Sequence, residues 1–426
     1  MSLRNFLNEL EKEGNLVKIQ REVNPKLEIA RILKESSKVV LFENVRDSDY
    51  RIVGNVCNSR ENFARALGIK KEGLLRYISD AIENSKFPRI VEKGHCQDVV
   101  ESDVDLSRLP ILTHNSKEMG PYITAGIFIA QDEKYGMNMS FHRASPISRD
   151  RLVARVCQRD LYKYLERSNG ELDIAISIGN HPSVLLSAGI SLGIEINEME
   201  IANSLYPLNI VKCKTNDLYV PADSEIVLEG RITKEKVDEG PFVDITGTYD
   251  IVRKEPVIEV DCITHRKNPI YQALIPSFSE HKLLMGMPKE PVIYKEVNKV
   301  CNCKDVILTR GGCSWLHAIV KIEKKKSEDG KNVIDAAFRG HKSLKHLVVV
   351  DDDINIHNPE EVEWAIATRF QADRDMVIKK GKGSSLDPSA DEDRTTSKLG
   401  LDATIPFNKP REKFERVRLG DEGDEE

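Results

Sequence analysis

The pattern of apolar and polar positions divides the chain into three parts. Over residues 1–112, helix-like and strand-like patterns alternate. Four apolar residues share one face of the first helical pattern: Leu3, Phe6, Leu7 and Leu10. Runs rich in β-branched residues follow at 15–19 and 38–45, with a helical pattern at 27–36 between them. This alternation predicts an N-terminal α/β domain over residues 1–112.

From residue 113 the pattern becomes one of successive strands. Runs rich in β-branched residues are separated by turn residues as far as residue 290. Two short helical patterns interrupt them, at 160–168 and 196–206. Many strands separated by turns are typical of a barrel or a sandwich, so residues 113–290 are predicted to form a β-rich domain.

Alternation returns after residue 290 and predicts a C-terminal α/β domain over residues 291–426. The last six residues, DEGDEE, are expected to be a disordered acidic tail. An apolar strand in this part ends in three acids, Asp351, Asp352 and Asp353. They could be metal ligands, but acids that cap a strand before a helix are the commoner explanation and the one we favour.

Composition restricts the class of protein. Hydrophobic residues make up 40% of the chain, charged residues make up 31%, and the net charge is -6. No basic excess indicates nucleic acid, and no apolar run approaches the roughly 20 residues that span a bilayer. The N-terminal pattern is not that of a signal peptide, so we expect a cytoplasmic protein. Of 8 cysteines only Cys301 and Cys303 are closely spaced, which favours reduced, mostly buried thiols over a zinc site.

The segment 238–249, DEGPFVDITGTY, contains the strongest candidate chemistry. It carries two carboxylates, Glu239 and Asp244, separated by a Gly-Pro turn and a short apolar strand. In isolation, two solvated acids beside a turn are the commoner explanation. In a dry pocket, however, one of these acids could transfer a proton.

Arginines are concentrated just before the first helical pattern of the strand-rich part. Five of them follow Asn138, with Asp150 as the only acid among them: Arg143, Arg149, Arg151, Arg155 and Arg159. A guanidinium group suits carboxylate and phosphate oxygens, so this stretch could bind an anionic cofactor or substrate. A solvated polar face is the alternative. Arg155 argues against it, because its neighbours are apolar and a buried guanidinium needs an anion.

Oxygen ligands for a hard cation such as Mn²⁺ or Mg²⁺ could come from Asn138 and Glu198. Taken singly, each is more commonly a surface polar group. The chain has no Walker loop, no GxGxxG between a strand and a helix, and neither GxSxG nor HExxH. If the protein is an enzyme, a cofactor bound by the strand-rich part is therefore expected to supply the difficult chemistry.

These motifs, in this order, resemble those of the UbiD family of reversible decarboxylases, which use prenylated FMN. The resemblance is carried by the strand with Asn138 and Arg143, by EGPFVD at 239–244, and by SKLGLDAT at 397–404, and it covers nearly the whole chain. It implies an α+β multidomain fold over the three segments defined above. The middle segment would be a split β-barrel like that of flavin reductases, and the C-terminal α/β domain would help to form a homo-oligomer.

The resemblance also implies roles for individual residues. Asn138 and Glu198 match ligands of a Mn²⁺ (or Mg²⁺) ion at the cofactor phosphate, where K⁺ is also common. Arg143 matches the arginine that orients the substrate carboxylate and is held by a glutamate, here Glu239. Asp244 matches the acid that delivers the proton, and burial beside apolar neighbours is expected to favour its protonated form. Six residues are expected to bind the cofactor: Phe141, His142, Arg143, Arg155, Gln158 and Arg159.

One position departs from the family pattern. Some members have a histidine as a further metal ligand where this chain has Arg159, after Gln158. An arginine cannot ligate a metal because it is always protonated. Either the metal has fewer protein ligands here, or Arg159 contacts phosphate oxygens directly.

The sequences of two motifs, NMSFHR and EGPFVDITGTY, are most similar to those of the archaeal branch of the family. The implied reaction is decarboxylation of trans-anhydromevalonate 5-phosphate to isopentenyl phosphate, with the cofactor supplied by a flavin prenyltransferase. A phosphorylated substrate would give a role to a surplus of arginines and lysines near the pocket. The alternatives are a polyprenyl 4-hydroxybenzoate or other aromatic acid carboxy-lyase, and a flavin-binding protein without catalysis. The presence of Glu239, Asp244 and Arg143 together argues against the last.

Overall fold

The computed structural model describes residues 2–416, which belong to two compact units, residues 1–288 and residues 289–426. The acidic tail predicted at 421–426 lies outside the described residues. Across the described part, every helix falls short of the length and apolarity that a membrane crossing needs. All eight cysteines are free thiols, and most of them are buried, as predicted.

Unit 1 combines helices with several sheets. Its helices are α1 (Leu3–Lys12), α2 (Glu28–Glu35), α3 (Arg60–Leu67), α4 (Leu74–Glu83), α5 (Asp160–Arg167), α6 (Pro182–Ala188), α7 (Glu198–Leu205) and α8 (Ser279–Gly286). Its first strands are β1 (Leu16–Ile19), β2 (Val39–Phe42), β3 (Arg51–Gly54), β4 (Arg89–Val91), β5 (Val99–Glu101), β6 (Ile127–Asp132), β7 (Gly136–Phe141), β8 (Ala144–Pro146) and β9 (Arg151–Ala154). The later strands are β10 (Leu172–Ile178), β11 (Asn209–Lys212), β12 (Tyr219–Pro221), β13 (Ile226–Glu239), β14 (Phe242–Val243), β15 (Tyr249–Asp250), β16 (Arg253–His265) and β17 (Ile270–Gln272).

The strands of unit 1 pair across distant parts of the sequence. A mixed sheet has the order β1-β2-β3-β17, and an eight-stranded sheet has the order β7-β6-β10-β13-β16-β9-β8 with β5 also paired to β16. A three-stranded sheet, β12-β11-β4, and the hairpin β14-β15 complete the set. Strands β4 and β5 precede the predicted boundary at residue 112 but pair with β11 and β16 beyond it, and β17 pairs back with β3. The strand pairing does not mark this boundary, which stays a prediction. The observed architecture is a mixed, multi-sheet fold with helices.

The first helix packs as its sequence pattern predicts. Ser2 caps its N-terminus by accepting a hydrogen bond from the backbone N–H of Asn5. Leu3, Phe6, Leu7 and Leu10 are all buried in one hydrophobic core with residues from other helices and strands of unit 1. Complete burial of such a side chain contributes about 1.5–3 kcal/mol, so the apolar stripe is enough to hold this helix on the core.

Within residues 113–290, two helices were not predicted, α6 and α8. Helix α6 begins after His181, whose side chain accepts from the N–H of Ser183, and has Pro182 in its first turn. Helix α8 is short, and one side of it lines the pocket described below. Each is the first element after a strand, β10 for α6 and β17 for α8.

Unit 2 is built around one mixed sheet. Its helices are α9 (Glu290–Asn298), α10 (Asp329–Gly340) and α11 (Pro359–Arg369). Its strands are β18 (Asn302–Leu308), β19 (His317–Glu323), β20 (His346–Asp351), β21 (Met376–Lys382) and β22 (Thr395–Asp402). The sheet order is β18-β19-β20-β22-β21, with the three central strands parallel. This mixture of helices and strands agrees with the alternation seen in the sequence.

The acidic run after β20 is explained by ion pairs. Arg369 of α11 is fully buried and donates to Asp351 at 2.8 Å and to Asp353 at 2.6 Å. Asp352 pairs instead with Arg411 at 2.9 Å. The cap of α11 is Asn358, whose side chain accepts from the N–H of Glu360. The capping explanation favoured from the sequence was therefore wrong, because these acids neutralise arginines that lie later in the chain.

We expect Arg369→Met to lower the free energy of unfolding by about 3–5 kcal/mol, because it leaves a buried carboxylate without a counter-ion. Urea unfolding followed by tryptophan fluorescence measures this directly, since both tryptophans, Trp315 and Trp364, lie in unit 2. The control is Arg374→Met, which removes a guanidinium that is half exposed. A loss no larger than that of the control would show that the Arg369 pairs do not stabilise the unit.

Candidate active site

A pocket of unit 1 contains five of the side chains that the sequence singled out. Its empty space, including the open mouth, is about 740 Å³. One side, which we call the strand wall, is formed by Phe141, His142, Arg143 and Arg155. The opposing residues of α8, which we call the helix wall, are His281, Leu284 and Met285, and the β14-β15 hairpin adds Phe242 and Asp244.

Arg143 is held by two carboxylates. Its Nε and Nη2 donate to the two oxygens of Glu239 at 2.7 Å and 2.9 Å, and Nη2 also donates to Asp250 at 3.1 Å. Glu239 is fully buried. Burial lowers the pKa of Arg143, but the hydrogen bonds and charge of Glu239, with the charges of Asp244 and Asp250, raise it above its ordinary value. The guanidinium is thus permanently charged and fixed, with Nη1 as its least occupied nitrogen.

Asp250 was not predicted as a site residue. Besides Arg143, it binds both terminal nitrogens of Arg253, at 2.5 Å and 2.7 Å. Burial raises its pKa, but the hydrogen bonds of Arg253 and the charge of Arg143 outweigh this and lower the pKa overall. Asp250 therefore stays ionised and extends the ion-pair network from the pocket towards β16.

The turn after Glu239 is fixed by contacts to the preceding loop. Tyr122 donates its hydroxyl to Glu239 Oε1 at 3.0 Å and accepts from the N–H of Gly240 at 3.2 Å. Burial and the charge of Glu239 raise the pKa of Tyr122, so the hydroxyl remains a donor. Gly240 has φ of 101°, a conformation that favours glycine. These contacts let the chain reverse directly behind the Arg143–Glu239 pair.

Asp244 lies in the pocket but is not in the dry surroundings expected from the sequence. Its side chain keeps 22% of its accessible surface, although Phe242 and Val243 beside it are buried. One of its oxygens accepts from the N–H of Ile245 at 2.6 Å, and Arg143 Nη1 lies 3.7 Å from the other.

Asn138 and Glu198 are buried together at the start of α7. Asn138 Nδ2 lies 3.3 Å and 3.4 Å from the two Glu198 oxygens, and the backbone N–H of Met139 donates to Glu198 at 2.9 Å. Burial raises the pKa of Glu198 to about 8, although these hydrogen bonds oppose the rise. Within residues 2–416, no group of three or more His, Cys, Asp or Glu side chains is arranged to hold a metal ion. A cation here would therefore take Asn138 and Glu198 with ligands from elsewhere.

The hydrogen bonds around Asn138 fit a hard cation. Ser140 Oγ lies 3.0 Å from Asn138 Oδ1 and 3.1 Å from His142 Nε2, while His142 Nδ1 lies 2.9 Å from the Arg155 carbonyl. The carbonyl only accepts, so Nδ1 carries the hydrogen. Burial lowers the pKa of His142 to about 4, which leaves Nε2 as an acceptor. One hydroxyl proton then serves two acceptors, and a cation on Asn138 Oδ1 would release it for His142.

Arg155 has a counter-ion within the protein. Its Nη1 donates to Glu255 of β16, which is buried and also accepts from the N–H of Val156 at 3.1 Å. The requirement for an anion, which the sequence indicated, is thus met in part by a carboxylate 100 residues away. With Glu239 on Arg143, the surplus of arginine charge expected near the pocket is largely neutralised.

The other arginines of the cluster have different surroundings. Arg149 and Arg151 form ion pairs with Asp103 and Glu235 at the surface. Gln158 is exposed. The exposed Arg159 directly precedes α5 without a side-chain capping bond, and its charge helps to lower the pKa of His142. The structure thus brings Phe141, His142, Arg143, Arg155 and Asp244 to one pocket, whereas Gln158 and Arg159 lie outside its lining.

His281 was missed by the sequence reasoning. Its Nδ1 accepts from the backbone N–H of Ser277 at 2.9 Å. Burial lowers the pKa of His281, with the charge of Asp244 acting in the opposite direction. No motif distinguished this histidine, which lies in α8, a segment in which no helix was predicted.

Three family models match the chain in order. They are described as the N-terminal, Rift-related and C-terminal domains of 3-octaprenyl-4-hydroxybenzoate carboxy-lyase, and they match residues 7–82, 89–279 and 282–403. The chain belongs to the UbiD family. The resemblance inferred from the motifs is therefore confirmed, and UbiD-family membership makes the protein a decarboxylase by class.

A relative and two solved structures place the chain within the UbiD family. The anhydromevalonate phosphate decarboxylase of Methanosarcina mazei is 45% identical over 99% of this chain and 100% of its own. The UbiD-class enzyme HmfF from Pelotomaculum thermopropionicum in complex with FMN is 41% identical, with a TM-score of 0.95 over 99% of this chain and 98% of that chain. An evolved dimeric form of HmfF in complex with prFMN is 39% identical, with a TM-score of 0.91 over 98% of this chain and 97% of that chain.

Proposed function

We propose that this UbiD-family protein is a non-oxidative decarboxylase that uses prenylated FMN and converts trans-anhydromevalonate 5-phosphate to isopentenyl phosphate and CO₂. The observation that carries the proposal is the fixed Arg143 with Asp244 beside its free Nη1 in one pocket. The substrate assignment is supported by the similarity, over the full chain, to a protein named for that reaction. The cofactor assignment is supported by the relatives solved with FMN and prFMN.

The domain organisation follows from the same proposal. Residues 113–290 would form the cofactor-binding split β-barrel, which the eight-stranded antiparallel sheet and its pocket residues support. Residues 1–112 and 291–426 would be the flanking α/β domains, and the latter would contribute to a homo-oligomer. A flavin prenyltransferase would supply the cofactor.

The residues of the strand wall would hold the cofactor. Phe141 and His142 would contact it, and Arg155 would offer the nitrogens that Glu255 leaves unoccupied, with Gln158 and Arg159 close to its phosphate. Asn138 and Glu198 would bind Mn²⁺ or Mg²⁺ at that phosphate, with K⁺ nearby. When bound, prenylated FMN supplies an electron sink for the electron pair of the breaking C–CO₂ bond.

Arg143 would bind the substrate carboxylate through Nη1. Its Nε and Nη2 are already occupied by Glu239 and Asp250, so the guanidinium can approach the substrate along one edge only. This fixed orientation positions the scissile bond without further ordering of the side chain. Glu239 therefore acts as the residue that holds Arg143, not as the group that transfers a proton.

Asp244 would donate the proton that replaces CO₂. Its partial exposure lets it take a proton from solvent, and its position beside Arg143 Nη1 places it next to the departing carboxylate. Loss of CO₂ removes a negative charge from this edge of Arg143, which leaves Asp244 as the nearest carboxylate to it. The proton that Asp244 gives up would replace CO₂, and the carboxylate left behind would lie 3.7 Å from Arg143 Nη1.

The decisive experiment measures CO₂ release from protein co-expressed with a flavin prenyltransferase. We expect release from trans-anhydromevalonate 5-phosphate and little from 4-hydroxybenzoates. Release from the aromatic acids alone would favour the aromatic acid carboxy-lyase instead. Protein that stays colourless and binds no flavin would refute both assignments.

We expect Asn138→Ala to reduce both bound manganese and bound flavin, because it removes the amide oxygen that would ligate the cation. Elemental analysis and flavin absorbance of the purified protein measure the two losses. Asn84→Ala is the matched control, since Asn84 is exposed and its side-chain amide donates to the backbone carbonyl of Asp80 in its own helix. Metal content equal to that of the control would argue against the site at Asn138 and Glu198.

A further inference from the structure

The helix wall of the pocket contains one polar side chain whose orientation is fixed, His281. The backbone N–H of Ser277 donates to His281 Nδ1 at 2.9 Å, so Nδ1 is an acceptor and the neutral ring carries its hydrogen on Nε2. The Ser277 hydroxyl in turn donates to the carbonyl of Ile245 at 3.1 Å, next to Asp244. The ring is therefore anchored to the same hairpin that carries the proposed proton donor.

The Nε2 atom of His281 is a donor without a partner. Among residues 2–416, no hydrogen bond is formed to it, and the ring lines the pocket. Burial lowers the pKa of His281, which keeps the ring neutral, and the charge of Lys282 acts in the same direction. Lys282 itself has no carboxylate partner in the described part of the chain and is partly exposed. The pocket thus offers a neutral donor at His281, and the charge of Lys282 is close enough to act on that ring.

The other polar groups of the pocket are largely occupied. Arg143 is bound by Glu239 and Asp250, and Arg155 is bound by Glu255. Thr124 donates its hydroxyl to the carbonyl of Leu274 at 2.7 Å. The remaining helix-wall residues are apolar. With Arg143 Nη1 taken by the substrate carboxylate and the remaining Arg155 nitrogens taken by the cofactor, a second anionic group on the substrate would find its donor on the helix wall at His281.

We infer that His281 binds the phosphate end of the substrate through Nε2–H, with the ammonium group of Lys282 neutralising part of the phosphate charge. This inference rests on the proposed function and adds a specificity residue to it. The carboxylate would lie at Arg143 and the phosphate at His281, with the branched alkene between them against Phe242, Leu284 and Met285. Recognition of the phosphate would thus come from α8, not from the arginine cluster.

The test compares His281→Leu with His281→Gln on two substrates, trans-anhydromevalonate 5-phosphate and the same acid without its phosphate. Loss of a hydrogen bond to a charged group should raise KM for the phosphorylated acid roughly 10- to 100-fold in the leucine variant. The glutamine variant keeps a donor near the position of Nε2, so its KM for the phosphorylated acid should lie between those of the wild type and the leucine variant. KM for the unphosphorylated acid should change by less than about 2-fold in both variants.

Binding provides a readout that does not depend on turnover. Calorimetry of the holoenzyme with isopentenyl phosphate should show weaker binding in His281→Leu, whereas isopentenol should bind both proteins alike. His95→Leu is the control, because His95 is a surface histidine that is 65% exposed. Thermal unfolding of each variant separates a loss of recognition from a loss of fold.

The outcomes distinguish this inference from the proposed function. If the wild type releases CO₂ from the phosphorylated acid and His281→Leu keeps its preference for that acid, His281 is not the phosphate ligand and the proposed function stands. If the wild type decarboxylates only aromatic acids, both proposals are wrong. A selective rise in KM with weaker isopentenyl phosphate binding would establish the assignment.

Discussion

Asp244→Asn is expected to lower kcat by roughly 10²- to 10⁴-fold, the range over which a positioned acid contributes to proton transfer. Asparagine keeps the size of the side chain and can still accept from the N–H of Ile245, but its amide cannot deliver a proton. Asp244 is part of the pocket rim and makes no contact with Asn138 or Glu198. Flavin absorbance and metal content should therefore remain near those of the wild type while CO₂ release falls.

The control for this prediction is Asp238→Asn. Asp238 precedes the same hairpin, and its side chain is 65% exposed in a surface pair with Lys254. We expect it to leave kcat unchanged. An Asp244→Asn enzyme with a rate near that of the control would remove Asp244 from the proton-transfer step and direct attention to Asp250 or solvent.

Glu239→Gln is expected to have the second-largest effect, because it acts on both position and stability. The neutral amide cannot form two charged hydrogen bonds with Arg143, so Asp250 becomes the main partner and the guanidinium shifts. A displacement of about 1 Å at a reacting group can lower kcat/KM by roughly 10²-fold. Weakening one partner of a buried ion pair should also lower the free energy of unfolding by about 3 kcal/mol.

A surface pair on the same strand gives the matched control. Glu235 of β13 forms an ion pair with Arg151 and is half exposed, so Glu235→Gln should cost less than about 1 kcal/mol and leave kcat/KM unchanged. Urea unfolding and initial rates of CO₂ release measure the two quantities. Equal effects of the two substitutions would mean that the buried pair does not hold Arg143 in place.

Much of the candidate site could be recognised from motifs that are short and contiguous. EGPFVD places Glu239 and Asp244 on either side of a turn, and the strand before Arg143 carries Asn138. Both could be predicted because strands and turns depend on neighbouring residues. Their partners could not be recognised in this way. Tyr122 contacts Glu239, Asp250 contacts Arg143, and Glu255 contacts Arg155. Each pair joins residues about 100 or more positions apart in the chain.

Errors made from the sequence have the same origin. The acids at 351–353 were assigned to capping because a helix follows them, but their partners are Arg369 and Arg411. His281 went unnoticed because α8 is short and carries no periodic apolar stripe. The local pattern does not show which distant residues a side chain will contact. This holds for the acids at 351–353, whose strand was predicted, and for His281, whose helix was not.

The sequence by itself determined the family, the alternation of helices and strands, the amphipathic first helix and the residues that carry the candidate chemistry. These features depend on residue type and short-range spacing. Only the tertiary structure decided that Asp244 is partly exposed, that Arg155 already has a carboxylate, and that His281 lines the pocket with its Nδ1 occupied by the N–H of Ser277. Each of these depends on burial and on contacts between residues distant in sequence, because charge and hydrogen bonding are set by whatever the fold brings within a few ångströms.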